Sequence, residues 1–536
     1  MHQQPAAPAP ARRPAADPEA ARPPRPDLPC RGWRGRLRAP ARARTPAALA
    51  LLCALAAALR CATIGSQSFD YDESFTVGIL HGSLGHVFHL IPVTESTPPL
   101  YYVVAWLWTR VFGLGAAGVR SLSALLGVAL VPVAYAVARR LGSRRAGLIA
   151  AALVAVSPFL VWYSEEARSY ALLALLSALS FWAFLAALEA PSPRRLALWA
   201  VASSAAVLSH YFAGFLVAPE AAWLLLAHRR RATAAAVAAV AAVAAALIPL
   251  VLAQADNRTQ WIEALSLPSR IVEVVKKWAT GEITPTRNWE LVVVGSLVLV
   301  ALAVAAAGLP PRERRGAALA LGVGAAALLL PLALDLAGLH YLISKNVMPA
   351  LAVLLIGVAV VLGSPPGAAV RSARGALGPA GAALAAAFFF ALSLDGLLDP
   401  ALQRADYRSA ARALGPPARD QVVVTPNLGN APIALYRPGA VPMPPGGWPA
   451  REVVVVEPLP RADVSSRRPA TPPPPPGFAL AGRRDARTYT LVCYAAPRPA
   501  PIAAGPLLAL ADGRRANAQV WPGAGRLAAP PKPCAG

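Results

Sequence analysis

Residues 121–169 read SLSALLGVALVPVAYAVARRLGSRRAGLIAAALVAVSPFLVWYSEEARS, two apolar runs split by arginines and ended by acids. The runs, at about 118–138 and 146–163, each have the length of a helix that crosses a bilayer. Arg139, Arg140, Arg144 and Arg145 occupy the break, and Glu165, Glu166 and Arg168 follow the second run. Basic and acidic breaks that alternate between apolar runs are the mark of a polytopic membrane protein with its basic loops inside.

The same pattern runs along most of the chain. Of 536 residues, 56% are hydrophobic and 15% charged, with a mean hydropathy of +0.48. That excludes an ordinary soluble domain. The net charge of +24 comes from arginines in short breaks without interleaved aromatics, so no nucleic-acid partner is expected. Spans are predicted at about 46–63, 118–138, 146–163, 169–189, 195–209, 211–227, 232–253, 289–308, 316–335, 346–363 and 376–394. With the arginine-rich N-terminus inside, Arg194, Arg195, Arg229–Arg231, Arg312, Arg314, Arg315, Arg371 and Arg374 also fall on the cytoplasmic side. The acid-rich segments 64–97, 164–168 and 254–288 then fall outside, as does the C-terminus. This parity requires that the run after Thr97, ending at Phe112, does not cross. It is only about 15 residues long and rich in Tyr and Trp, which suits an outer-surface helix.

The fold class expected is an α-helical polytopic membrane protein of about 11 transmembrane helices with a small exported α/β C-terminal domain. Residues 1–45 carry ten arginines against three acids and read as a disordered basic cytoplasmic tail. Residues 46–395 form the transmembrane domain, with outer loops 64–117, 164–168 and 254–288. Residues 396–536 form the exported domain: a helix at 404–414, strands at 421–424, 452–456 and 488–494, and a stiff proline linker at 472–476. The five cysteines show no metal-ligand spacing, and pairing of Cys493 with Cys534 stays open.

A carboxylate at the bilayer centre costs about 2.5–3.5 kcal/mol, so acids gathered at span ends point to a functional site. The first outer loop supplies Asp70, Asp72, Glu73 and Glu95, and the second supplies Glu165, Glu166 and Arg168. Tyr170 lies four residues after Glu166, on the same helical face. His210 stands at an outer junction, and His340, Tyr341 and Lys345 lie between the ninth and tenth spans. The chain has only four lysines, and Lys276, Lys277 and Lys345 are all expected outside, against the positive-inside trend. Carboxylates beside cations at one membrane face suit a phosphorylated lipid: the acid takes a proton from an acceptor while a cation stabilises the departing phosphate. His81, His86 and His89 match no zinc spacing.

The stretches Phe69-Asp70-Tyr71-Asp72-Glu73-Ser74, Thr97-Pro98-Pro99-Leu100-Tyr101-Tyr102 and Tyr163-Ser164-Glu165-Glu166-Ala167-Arg168-Ser169-Tyr170 resemble the class C membrane glycosyltransferases. Within them the likeness is to the protein mannosyltransferase and aminoarabinose transferase branch. His340–Pro349 and Arg404–Arg408 also resemble family elements, and the likeness is strongest over 69–172. It implies transfer of a sugar, such as the hexose mannose, from a polyprenyl-phosphate donor to a glycan, lipid or protein acceptor at the outer face of the plasma membrane. Asp72 would be the base or would position the acceptor, with Glu73 and Glu166 organising the site directly or through a divalent cation whose ligands are unassigned. Arg168, Lys345 and Tyr341 would take the donor phosphate. Thr97, Pro98, Tyr101, Tyr102, Tyr170 and His210 would line the acceptor or lipid groove, although Thr97 stands where many members carry His. A secondary transporter or lipid-linked-sugar flippase would instead place ionisable groups near the midplane and show internal repeats. The acids sit at span ends and no repeat is visible, Asp335 being the nearest exception.

Overall fold

A computed structural model describes residues 44–255, 260–282, 288–364, 374–426, 428–459, 470–508, 510, 516–523 and 534. The expected N-terminal tail lies outside these but for its last two residues, as do Arg371 and parts of the 254–288 loop. The protein is a mostly helical polytopic membrane protein with a small C-terminal sheet domain.

Each of the eleven apolar runs is helical. Among the described residues six helices are long and apolar enough to cross a bilayer: Ala116–Leu141, Tyr170–Glu189, Arg231–Ala253, Trp289–Ala307, Pro311–Leu336 and Ala376–Leu398. A seventh span arises if Arg144–Val156 and Pro158–Ser164 are taken as one, bent by 57°. Helices Thr45–Cys61, Tyr211–Ala227 and Met348–Gly363 are apolar but shorter, and Pro193–Ser209 has 17 residues.

The bend corrects the reading of 146–163 as one uninterrupted helix. Pro158 lacks an N–H and fixes its own φ, so it starts a helix more readily than it continues one. The Ser157 hydroxyl caps the new helix by accepting from Leu160 N–H at 3.4 Å. Pro158–Ser164 is buried throughout, and its end delivers residues 165–168 to the site.

Between the first helix, Arg44–Cys61, and Ala116–Leu141 lie three short helices, Tyr71–His81, Leu84–Thr94 and Leu100–Phe112. The last has 13 residues, about 20 Å of helix against a hydrocarbon core of about 30 Å. Tyr101 and Tyr102 face a buried core with Val77, Leu80, Val119 and Leu172. That corrects their placement in a groove.

The C-terminal sheet comprises β1 (Gln421–Pro426), β2 (Val441–Pro442), β3 (Trp448–Pro458), β4 (Ala479–Asp485), β5 (Tyr489–Ile502) and β6 (Ala516–Val520), in the order β2-β6-β1-β3-β5-β4. β1 and β3 are parallel, and the other pairings are antiparallel. Val422, Val424, Val453 and Val455 fill one face, with Val423, Val454 and Val456 on the other, as strand alternation requires. The proline run stays with this sheet: Tyr494 donates to the Pro472 carbonyl at 2.5 Å. Cys493 and Cys534 form a disulfide.

Candidate active site

The first acidic cluster is built by a helix start. Asp70 caps Tyr71–His81 by accepting from Glu73 N–H at 3.0 Å, and the Glu73 carboxylate reaches back to Asp70 N–H at 3.3 Å. This capping box turns Glu73 inward and leaves Asp72 on the outward side of the first turn. Glu73 is fully buried, and Arg120 donates to it twice, through Nε at 2.7 Å and Nη2 at 2.5 Å. Ala167 N–H donates to the same carboxylate at 2.9 Å, tying the two acidic segments together. Burial alone would raise the Glu73 pKa, but Arg120 outweighs it and holds the group at about 2.

Asp72 opens into a cavity of about 800 Å³. Arg168, Tyr170, His210, Tyr341, Lys345 and Glu95 line it as well, with Phe75, Phe212, Phe215, Val251, Ile262 and Leu334 forming apolar walls. Lys345 Nζ lies 3.9 Å from the Asp72 carboxylate and 5.7 Å from the Tyr170 ring centre. Burial opposes the charge of Asp72, yet Arg168 and Lys345 hold its carboxyl below the ordinary range. It is therefore an ionised, half-open carboxylate at neutral pH. Lys345 stays protonated, because Tyr170, Asp72 and Glu166 outweigh the burial that disfavours its charge.

Arg168 has a fixed partner. It donates to Glu95 at 2.6 Å, and Tyr102 donates to the same oxygen at 2.5 Å. Thr97 closes this network at 3.2 Å from the Tyr102 hydroxyl. Thr97, Tyr101 and Tyr102 are thus buried supports behind the cavity wall. Pro98 is buried beside them, and none of the four lines the cavity. His210 does line it, its Nδ1 accepting from Phe212 N–H at 3.3 Å. Burial, with Arg168 and Lys345 nearby, lowers its pKa to about 3, so the ring is neutral and its proton sits on Nε2.

Glu166 is buried behind Asp72, and its pKa is raised to about 8 by burial and by Asp70, although Arg404 pulls the other way. Glu165 is taken by Thr63 at 2.8 Å and Gln67 at 3.4 Å, away from the cavity. Asp335, the exception weighed for a transporter, is bound by Arg270 at 2.5 Å and His340 at 3.0 Å.

The carboxylates of this donor set each stand beside a cation. Glu73 is matched by Arg120, Glu166 faces Arg404 at 3.7 Å, and Asp72 faces Lys345. Among the described residues no group of three or more His, Cys, Asp or Glu side chains is placed to hold a metal ion.

Sequence reasoning missed Arg120, Gln254 and Glu220, and it marked Arg404 only as part of a family element, not as a site residue. Arg120 is hidden inside an apolar run, and Arg404 lies 238 residues beyond Glu166, with no spacing to betray either contact.

 Gln254 joins the cavity wall to Ile91 and Thr97 through bonds of 3.1 and 3.3 Å to their carbonyls. Glu220 is buried within a span, where Ser180 and Trp199 donate to it at 2.6 and 2.9 Å.

Residues 96–253 match the family described as dolichyl-phosphate-mannose-protein mannosyltransferase. A search of curated proteins finds no match. Among solved structures, ArnT from Cupriavidus metallidurans bound to undecaprenyl phosphate is 13% identical, with a TM-score of 0.47 over 85% of this chain and 99% of that one. The Archaeoglobus fulgidus oligosaccharyltransferase with zinc and sulfate is 14% identical, with a TM-score of 0.41 over 68% and 55%. The S. cerevisiae Pmt1-Pmt2 complex bound to the sugar donor is 18% identical, with a TM-score of 0.31 over 41% and 34%. The family match covers less than a third of the chain, the stretch that holds Thr97–Tyr102 and Tyr163–Tyr170, and there the chain is similar to the mannosyltransferase family.

Proposed function

We propose that the protein moves a sugar, a hexose such as mannose, from a polyprenyl-phosphate donor to an acceptor at the outer membrane face. The observation that carries this reading is one cavity in which the ionised Asp72 faces Lys345, with Arg168 on the same wall and apolar side chains opposite. An anionic head with a long apolar body matches that division.

In the proposed reaction the acceptor hydroxyl gives its proton to Asp72 as its oxygen bonds the anomeric carbon. The bond from that carbon to the phosphate oxygen breaks, and the electron pair leaves on the polyprenyl phosphate. Lys345 stabilises the charge that develops there, and Arg168 adds to the positive field while anchored by Glu95. Tyr341 and the neutral His210 donate to phosphate or sugar oxygens, and Tyr170 shapes the wall under Lys345. Glu73 and Glu166 position the Asp72 segment from behind it. The N-terminus is assigned to the cytoplasm and the C-terminal domain to the exterior, with eleven crossings.

The test is the anomeric configuration of the product formed from a defined polyprenyl-phosphate hexose by the protein in lipid. A single displacement with Asp72 as base inverts that centre. A retained configuration would rule the mechanism out.

A further inference from the structure

The acid cluster receives one of its cations from the far end of the chain. Arg404 follows the last apolar helix and precedes the helix Tyr407–Ala413, which packs on the C-terminal sheet. Its guanidinium is fully buried. Nε lies 3.8 Å from Asp70 and 3.5 Å from Glu73, and Nη2 lies 3.7 Å from Glu166. It donates to the Gln67 side chain and to the Trp162 carbonyl, both at 3.1 Å, and stacks 4.4 Å from the Trp162 ring. One side chain therefore touches both acidic segments and the helix that bends at Pro158.

The same region grips the loop before Asp70. Arg408 donates to the Gly65 and Ser66 carbonyls at 3.0 and 3.2 Å. Phe69 N–H donates to the Tyr436 hydroxyl at 2.8 Å. Leu428, between β1 and the helix Asn430–Tyr436, reaches the cavity wall. Its φ of 64° is a left-handed conformation that costs a leucine energy and persists only where packing enforces it.

We propose that the C-terminal domain completes the active site, with Arg404 as the positioning residue that holds Asp70, Glu73 and Glu166 together behind Asp72. The inference rests on the transferase reading for its rate measurements but not for its binding measurement. Removing Arg404 leaves the carboxylates with less compensating charge, so they take up protons at higher pH. Their other neighbours remain: Asp72 on the same helix start, Arg120 from Ala116–Leu141, Glu165 and Arg168 from the 165–169 loop, Glu95, Lys345, and Arg408 from the C-terminal domain.

The test compares wild type, Arg404→Gln and Arg404→Lys as full-length protein in lipid nanodiscs, with thermal unfolding as a check on folding. Arg404→Gln is expected to lower kcat at least 10-fold with donor KM within threefold, and to move the acidic limb of the rate profile up by a pH unit or more. Arg404→Lys keeps the charge and is expected to restore the limb, though not the full rate. A limb unmoved in Arg404→Gln, or displaced equally in Arg404→Lys, overturns the proposal. Should Arg404→Gln fail to fold, Arg404→Lys carries the test, a wild-type limb supporting it and a displaced limb overturning it. Binding of polyprenyl phosphate across the same pH range reads the cluster without turnover. Absent transfer by wild type sinks the transferase reading, and the binding limb then decides this one by the same shifts.

Discussion

Arg120→Ala tests the buried pair that turns the first acidic cluster inward. Arg120 and Glu73 are both fully buried, and removing one partner of such a pair costs about 3–5 kcal/mol, because the other charge is left without compensation. The titration of Glu73 gives a similar figure. Its pKa falls from 4.5 to about 2, and at 1.36 kcal/mol per unit that is about 3 kcal/mol. A lowered carboxylate contributes stability that is present above 4.5 and lost as pH falls through about 2. In Arg120→Ala the stranded carboxylate can escape by protonation, with Arg404 3.5 Å away as its remaining cation. The loss is therefore expected to be largest near pH 7.5 and smaller near pH 5. Denaturant unfolding in lipid or detergent, followed by tryptophan fluorescence at both pH values, measures this. The double variant Arg120→Met with Glu73→Leu should lose less than the two single losses added together. A loss under about 1 kcal/mol for Arg120→Ala, or one independent of pH, would refute the reasoning.

Three further outcomes are expected. Glu166 has its pKa raised to about 8, so it is largely protonated at pH 7, and Glu166→Gln should keep activity there within about fivefold while flattening any change near pH 8; activity as low as in an Asp72 variant would contradict this. Lys345→Gln removes the cation 3.9 Å from Asp72 and should lower kcat about 10²–10³-fold at unchanged melting temperature, measured by steady-state transfer. Cys493→Ser opens a loop with a sequence separation of 41 and should cost about 4 kcal/mol on the chain-entropy view, seen as earlier unfolding of the C-terminal domain that reductant reproduces in wild type.

Much of the membrane fold is legible because apolar runs and arginine breaks obey simple physical rules. All eleven runs became helices, but four of them are shorter than a full span and one bends at Pro158. The bend is written in Ser157-Pro158, yet an apolar stretch that continues past a proline gives little warning of a 57° turn. At the site, Asp72, Arg168, Tyr170, His210, Tyr341 and Lys345 meet in one cavity. Their residue types and span-end positions were visible, and their convergence depends on how the helices pack. The Thr97–Tyr102 segment was read as groove because aromatic residues near an interface look alike whether they face lipid or core. Here the buried Glu95 carboxylate accepts from both Arg168 and the Tyr102 hydroxyl, and Thr97 bonds Tyr102 in turn. The site roles of Arg120 and Arg404 were invisible for a different reason: the partners of each are distant in sequence.

The most direct measurement is transfer of labelled sugar from polyprenyl-phosphate mannose, and then from other lipid-linked sugars, to a cell-envelope extract. Purified protein in lipid is compared with Asp72→Asn at matched folding. Transfer by wild type and a loss of about 10²–10⁴-fold in Asp72→Asn is the expected result. Undiminished transfer by Asp72→Asn would contradict the base assignment, and no transfer by wild type from any lipid-linked sugar would contradict the transferase itself.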